Sequence, residues 1–280
     1  MVDSMIHNVE KVVPGSGPHR MDRIFRSMIL SFILILLILP CLIGGSPGAA
    51  ERKIPFSPGE RVIYQGRWGL IPAGEVMLEV LPRKTILGVE TYHFAMTTKT
   101  NAAVDLIYPI RERQDSYVAL DLKRSIHYTK KTESKHPRDI VVNFDWEKME
   151  STYINFGKSS PPVPIVPGTF DPLALFFILR LQDLTENRVI EMPITDGSTN
   201  YRVKATIGKK SFIEIDGQKY PSVEVTPDME RLEGIVKKSE NPQLKIWFSA
   251  DEKKIPLKIQ SKVGIVSFIF EFSSMSPGPG

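Results

Sequence analysis

From residue 61 onward the chain alternates apolar and polar residues with period two, interrupted at intervals by glycine, proline or asparagine. Half-buried antiparallel strands read this way. Residues 61–68 set Val62, Tyr64, Gly66 and Trp68 against Ile63, Gln65 and Arg67. A turn is expected over 69–74, with Ile71, Pro72 and Ala73 inside it, followed by strands at 75–81, 91–100, 107–120 and 125–131. The polar tetrapeptide Asp145-Trp146-Glu147-Lys148 separates runs at 141–144 and 149–154 and closes a hairpin. Later strands are expected at 188–193, 200–207, 212–215, 220–226, 243–249, 256–262 and 265–272. Asp196-Gly197 and Asp216-Gly217 supply tight turns between them.

The period-two pattern fails between residues 157 and 183. Pro161, Pro162, Pro164 and Pro167 block ladder hydrogen bonds and predict a long surface connection over 157–169, a candidate lid or linker. One helix follows, over about 171–183: Asp171 is placed to cap the first turn, and Pro172 loses nothing at the first helical position. Leu173, Leu175, Phe176, Phe177, Ile178, Leu179 and Leu181 surround most of its circumference, so it should be buried. Arg180 rides on the same segment and needs a partner there. A sheet carboxylate such as Asp251 is the expected one, and a cavity-facing role holding an anionic headgroup is the functional alternative.

These elements predict a mainly β fold: an antiparallel curved sheet or incomplete β-barrel around one buried α-helix. The expected organisation is an N-terminal targeting segment over 1–50, a single β-rich domain over 51–272 and a disordered tail over 273–280. A split into two domains at 157–167 is the structural alternative. Residues 28–43 are almost unbroken apolar, preceded by Arg20, Arg23 and Arg26 and followed by a small, turn-prone stretch. That is the arrangement of a secretory signal, and Gly48 and Ala50 favour a cut before Glu51. Retention of 28–43 as a membrane anchor and lipidation at Cys41 are the two alternatives, and the export segment starts from either Met1 or Met21. The chain's single cysteine, Cys41, lies in this segment, so the domain beyond it has no cysteine for a disulfide, thiolate nucleophile or cysteine-ligated metal. With 42% hydrophobic residues it must be held by core and sheet alone.

Three blocks of sequence carry a resemblance. Pro58-Gly59-Glu60 leads to Tyr64, Trp68 and Ala73-Gly74-Glu75, and Asp171-Pro172-Leu173 leads to Phe177-Ile178-Leu179-Arg180. Lys245-Ile246-Trp247-Phe248-Ser249-Ala250-Asp251 precedes Ile255-Pro256-Leu257 and Val263-Gly264. Together they resemble the domain of unknown function family numbered 3108, over about 56–272. The resemblance implies an exported, β-barrel-like envelope protein of Gram-negative bacteria with no defined activity. The charged stretch 227–241 departs from the family's pattern, which puts the pairing on either side of it in doubt.

Charge and chemistry add little. The formal net charge is only +4, and basic residues are scattered without interleaved aromatics, which argues against nucleic acid. His93, His127 and His136 are not at metal-ligand spacing, and no nucleophile elbow or phosphate loop is present. Asp105, Glu112, Asp115, Asp145, Glu147 and Asp171 are available for paired-carboxylate hydrolysis, although turns and the Asp171 cap account for them more simply. No catalytic residue, metal ligand or cofactor is therefore expected, and Trp68, Trp146 and Trp247 are the residues placed to line a cavity if one exists. The reading favoured by the pattern is a non-enzymatic periplasmic protein that binds an apolar or lipid-like ligand or another envelope component. It meets a membrane only through residues 28–43, and only if that segment is left uncleaved. A hydrolase of envelope polysaccharide and a structural or assembly factor are the alternatives.

Overall fold

A computed structural model of the chain describes residues 53–228, 243–263 and 266–278. The expected targeting segment over 1–50, with Cys41, and also Glu51 and most of 227–241 lie outside the described residues. Fifteen strands run in chain order. The first nine are β1 (Arg61–Trp68), β2 (Ile71–Ile86), β3 (Val89–Thr100), β4 (Arg111–Ala119), β5 (Ser125–Glu133), β6 (Arg138–Asp145), β7 (Glu150–Asn155), β8 (Lys158–Ser159) and β9 (Val163–Pro164). The other six are β10 (Val189–Thr195), β11 (Asn200–Ile215), β12 (Gln218–Pro227), β13 (Gln243–Ser249), β14 (Pro256–Val263) and β15 (Val266–Ser276). A one-turn helix, α1 (Ala102–Asp105), joins β3 to β4, and α2 (Ala174–Ile178) precedes β10.

Every ladder is antiparallel, in the order β10-β11-β12-β13-β14-β15-β1-β2-β3-β4-β5-β6-β7-β8, with β9 also on β7. The sheet is thus curled and mainly β, and the first and last strands meet at its middle. It does not close on itself. The proline-rich connection spans the gap between its ends: Val163 pairs with Ser151 of β7, and Phe170 exchanges backbone hydrogen bonds with Pro193 and Thr195 of β10. Pro193 sits in an edge strand, where a missing N–H is tolerated. The connection is pinned at both ends rather than free to act as a lid.

One face of the curl is continuous core. Val62 and Tyr64 of β1, Val76, Leu78 and Val80 of β2, and Phe94 and Met96 of β3 point inward. So do Val223 and Val225 of β12 and Leu244, Ile246 and Phe248 of β13. Into this concavity the segment after Thr169 inserts, with every residue from Phe170 to Arg180 buried. Phe177 stacks on Phe94 at 4.0 Å and meets Phe56 edge-on at 5.9 Å. This plug is the helical block expected from sequence, but regular helix covers only Ala174–Ile178 and tightens into a 3₁₀ turn at Leu179–Leu181. It stops because Gln182 is extended (φ −78°, ψ 155°), and the carbonyl of Ile178 takes its hydrogen bond from the Gln182 side chain.

Two buried charges anchor the plug. The Asp171 carboxylate accepts from the backbone N–H groups of Leu173 and Ala174 at 2.9 Å each, and from the hydroxyls of Ser116 at 2.6 Å and Ser125 at 2.5 Å. Burial pushes its carboxyl up, and these four donors pull it back. Arg180 pairs with Glu60, not with Asp251: Nη1 and Nη2 donate to the two carboxylate oxygens at 2.5 and 3.1 Å. Nη2 and Nε donate further to the carbonyls of Pro55 at 2.8 Å and Lys253 at 2.9 Å. All of the guanidinium's reach is therefore spent inside the fold, which removes the headgroup role. Asp251 is occupied by Ser249 and its own turn amides.

Other differences from the sequence expectation have local causes. The first turn is Gly69 and Leu70 alone, because a bulge between Gly66 and Arg67 brings Ile71 straight back into pairing. β11 is one strand where two were expected, since an irregularity between Ile207 and Lys210 interrupts the alternation without ending the ladder. β15 continues to Ser276, so residues 273–276 of the expected tail are strand, paired with β1 through Ser274, Met275 and Ser276.

Removing Glu60 leaves a guanidinium in the interior without its counter-charge. Glu60→Ala is expected to lower the unfolding free energy by about 3–5 kcal/mol in urea titration; a loss under about 1 kcal/mol would show that the pair does not anchor the plug.

Candidate functional site

The plug fills only one end of the curl. Thr98 lies four residues beyond Phe94 on the same inward row of β3, about 13 Å along the strand. At that level small inward residues replace large ones. Gly66 of β1 pairs with Gly74 of β2, and a Cβ on Gly66 would come within 3.0 Å of the Phe270 ring. Gly74 has φ +148°, and a Cβ there would sit 2.1 Å from the carbonyl oxygen of Lys99, so no other residue fits. The space left is a cavity of about 120 Å³, walled by Trp68, Phe268, Phe270, Val104 and Ile110. Trp68 and Phe268 stack at 6.2 Å across its side.

The one buried charge in the cavity wall is already engaged. Glu112 is buried, with its carboxylate 3.0 Å from the Lys130 ammonium, and it accepts from Gln114 Nε2 at 2.6 Å and Thr132 Oγ1 at 2.7 Å. Tyr128 donates to Gln114 Oε1 at 2.8 Å, and burial pushes its phenol well up. This cluster, on the inward faces of β4 and β5, lies between the plug and the cavity and gives the cavity one polar wall.

The mouth is built by two chain tips. Asn101 caps α1 by accepting from the Val104 amide, and it ties that tip to the β1–β2 turn: its backbone donates to Ala73 O and its side chain to Pro72 O. Asp105 holds the other side of α1 through Arg111 and the Thr100 hydroxyl. Those two donors lower its carboxyl to about 2. Between them the tips present Leu70 and Leu106, 96% and 89% exposed, with Ile71 and Ile107 beside them.

The remaining sequence candidates are scattered. Of the tryptophans, Trp68 lines the cavity; Trp146 donates to the Ser125 carbonyl at 2.8 Å beside Phe144, and Trp247 faces outward between Lys245 and Lys258. Asp145 is used by its own hairpin and Lys148, Glu147 lies exposed in the same hairpin, and Asp171 caps the plug. On the outer face His93 meets Asp115 at 2.7 Å, a pairing the sequence reading missed because β3 and β4 had first to be placed in register. Burial opposes ionisation of Asp115, but His93 and Arg113 outweigh it and hold the carboxyl well below the usual range. Arg113 continues to Glu79 and Glu79 to Arg61, so the charges run in a line across the outer face from His93 to Arg61. His127 bonds Asn143 at 2.9 Å, and burial pushes its imidazole down. Among the described residues no group of three metal-ligating side chains converges, and no two of the six singled-out carboxylates share a donor. A cavity was expected and Trp68 does line it, but its place and the rest of its lining were missed, although Gly66 and Gly74 mark it by standing where the inward alternation calls for bulk.

A family model described as "Protein of unknown function (DUF3108)" matches residues 63–272. No curated protein matches the chain. Among solved structures, a β-barrel-like protein of domain of unknown function DUF1849 from Brucella abortus has a TM-score of 0.53 at 10% identity, covering 79% of this chain and 98% of that one. The Mycobacterium tuberculosis lipoprotein LppX covers 79% of this chain and 88% of its own at 10% identity, with a TM-score of only 0.25. The first likeness is one of fold.

The Asp105 carboxyl sits below its ordinary range, so its hold on α1 is complete above about pH 4 and fades as the pH falls through about 2. Carboxyl-carbon NMR titration should find that low midpoint in the native protein and its return toward 4 in Arg111→Gln; an ordinary midpoint in the native protein would contradict the anchoring of this tip.

Proposed function

The chain belongs to the DUF3108 family, and we propose that it is a non-enzymatic binding protein of the cell envelope whose cavity receives the apolar end of a lipid-like ligand. The observation that supports this reading is a space with aromatic and aliphatic walls at the unplugged end of the curl, opening beside exposed aliphatic side chains. The export-type pattern of residues 1–50 supports the periplasm as its place of work.

Size limits what enters. Whole-ligand pockets measure about 300–1,000 Å³, and an apolar cavity of about 150 Å³ holds one benzene ring. At about 120 Å³ the cavity takes a chain end of a few carbons rather than a complete lipid. At about 0.8 kcal/mol per buried methylene, such an end contributes about 3 kcal/mol, which alone corresponds to binding weaker than millimolar. The rest of the ligand's affinity must come from contacts at the mouth. The interior is thus more filled than a ligand-enclosing barrel requires, because the plug occupies the other half.

A fluorescent medium-chain fatty acid titrated into the full chain tests this. Thr98→Phe, which projects a ring into the cavity, and Ser261→Leu, which narrows it from β14, should each weaken binding at least tenfold while the urea midpoint stays put. Equal affinity in the wild type and both variants would overturn the reading.

A further inference from the structure

Folding does not explain the cavity's rim. Leu70, Ile71, Leu106 and Ile107 stand on two tips that Asn101 locks together, so their exposure is built in rather than a consequence of loose loops. Exposed lysines flank them. Lys99 stands on the outer row of β3 with its backbone against the cavity, Lys262 follows the cavity residue Ser261, and Lys135 lies over the Tyr108 ring just after α1. Among the described residues none of the three ammonium groups is in a salt bridge, although Lys99 is near enough to Asp105 to help hold its carboxyl down, whereas the nearby Arg67 and Arg111 are paired with Glu271 and Asp105.

We propose that this rim docks on an anionic lipid bilayer, seating the two aliphatic tips below the headgroups and the lysines among them, so that an acyl chain passes from bilayer to cavity without crossing water. The inference rests on the cavity reading and deepens it by naming the source of the ligand. Three observations carry it. The aliphatic tips and the lysines repeat the order of a bilayer surface, apolar interior under anionic headgroups. Ala73 and Val104 line the cavity and belong to the same two tips as the exposed side chains, so the cavity adjoins the surface they would bury. A cavity that holds only a chain end leaves most of a lipid outside, and a bilayer already solvates that remainder. Each aliphatic side chain taken out of water is worth roughly tenfold or more in partitioning, enough for four of them to seat the domain. Sequence pointed to residues 28–43 as the only membrane contact, because side chains on two turns far apart in the chain leave no local apolar run.

The test uses the full chain with vesicles of phosphatidylcholine containing one-third phosphatidylglycerol, their acyl chains brominated to quench nearby tryptophan. Docking through the rim places Trp68 beside the bilayer and keeps Trp146 and Trp247 away from it. Quenching is expected, and the quenched component should disappear in Trp68→Phe. It should fall at least fivefold in Leu70→Glu/Leu106→Glu, and at least as far in Lys99→Glu/Lys262→Glu, while the urea midpoint of both variants stays put. Thr98→Phe should show the converse, lost fatty-acid binding with quenching retained, so failure of the cavity and failure of the rim are told apart. Quenching that persists in Trp68→Phe, or is unchanged in Leu70→Glu/Leu106→Glu, would mean that residues 28–43 alone meet the bilayer and would overturn the proposal. So would a solution dimer that Leu70→Glu/Leu106→Glu dissociates with no quenching in the wild type, which would assign the rim to a second copy.

Discussion

Arg180 reaches the interior on a segment whose neighbours are apolar on every side, and a guanidinium taken out of water there has to find a carboxylate. Glu60 supplies it with two hydrogen bonds, and the carbonyls of Pro55 and Lys253 accept two more. One side chain thereby fastens the plug to the lead-in of β1 and to the turn before β14, elements distant in sequence. Since replacing a buried pair by apolar residues is often neutral, its value lies less in raw stability than in allowing a single seat for the plug. Phe56, packed between Arg180 and the stacked rings of Phe94 and Phe177, belongs to the same joint.

Fixing the plug at one end determines what the other end can be. Along the interior the chemistry changes from the aromatic and aliphatic packing around Phe177, through the hydrogen-bonded cluster of Glu112, Gln114, Tyr128, Lys130 and Thr132, to the glycine-lined space beyond. A polar cluster with its members mutually satisfied does not collapse into a neighbouring void as aliphatic side chains would, because moving any member breaks bonds that water is not there to replace. Gly74 keeps the opposite wall close by letting β2 lie against the backbone of Lys99 and Thr100. The void is held open by geometry on both sides.

Strand identity was legible because one buried face imposes period two, and the limits of β1 and β13 coincide with the runs 61–68 and 243–249. What failed was anything dependent on pairing. Glu60 stands 120 residues before Arg180 in the chain and sits in a motif that reads as a turn, so Asp251, nearer in sequence, looked the better partner. The 3₁₀ ending of the plug is set by the extended Gln182, not by a helix-breaking residue, and apolar periodicity cannot register that. The cavity left a trace in the small inward residues Gly66 and Gly74, which without register are indistinguishable from turn glycines. The rim left none.

A curled sheet that does not close leaves two strand edges to be managed. An unpaired strand edge invites pairing with another chain, and here both ends of the sheet are blocked, β10 by Phe170 and its own Pro193, β7 by β8 and β9. The prolines of the connection allow just enough pairing to cover each edge and no continuous ladder across the gap. Closure of the barrel would have made the cavity wall rigid all round and fixed its diameter. Leaving the seam to a short covering segment separates two demands that conflict in a closed barrel, a permanent plug at one end and an unfilled space at the other.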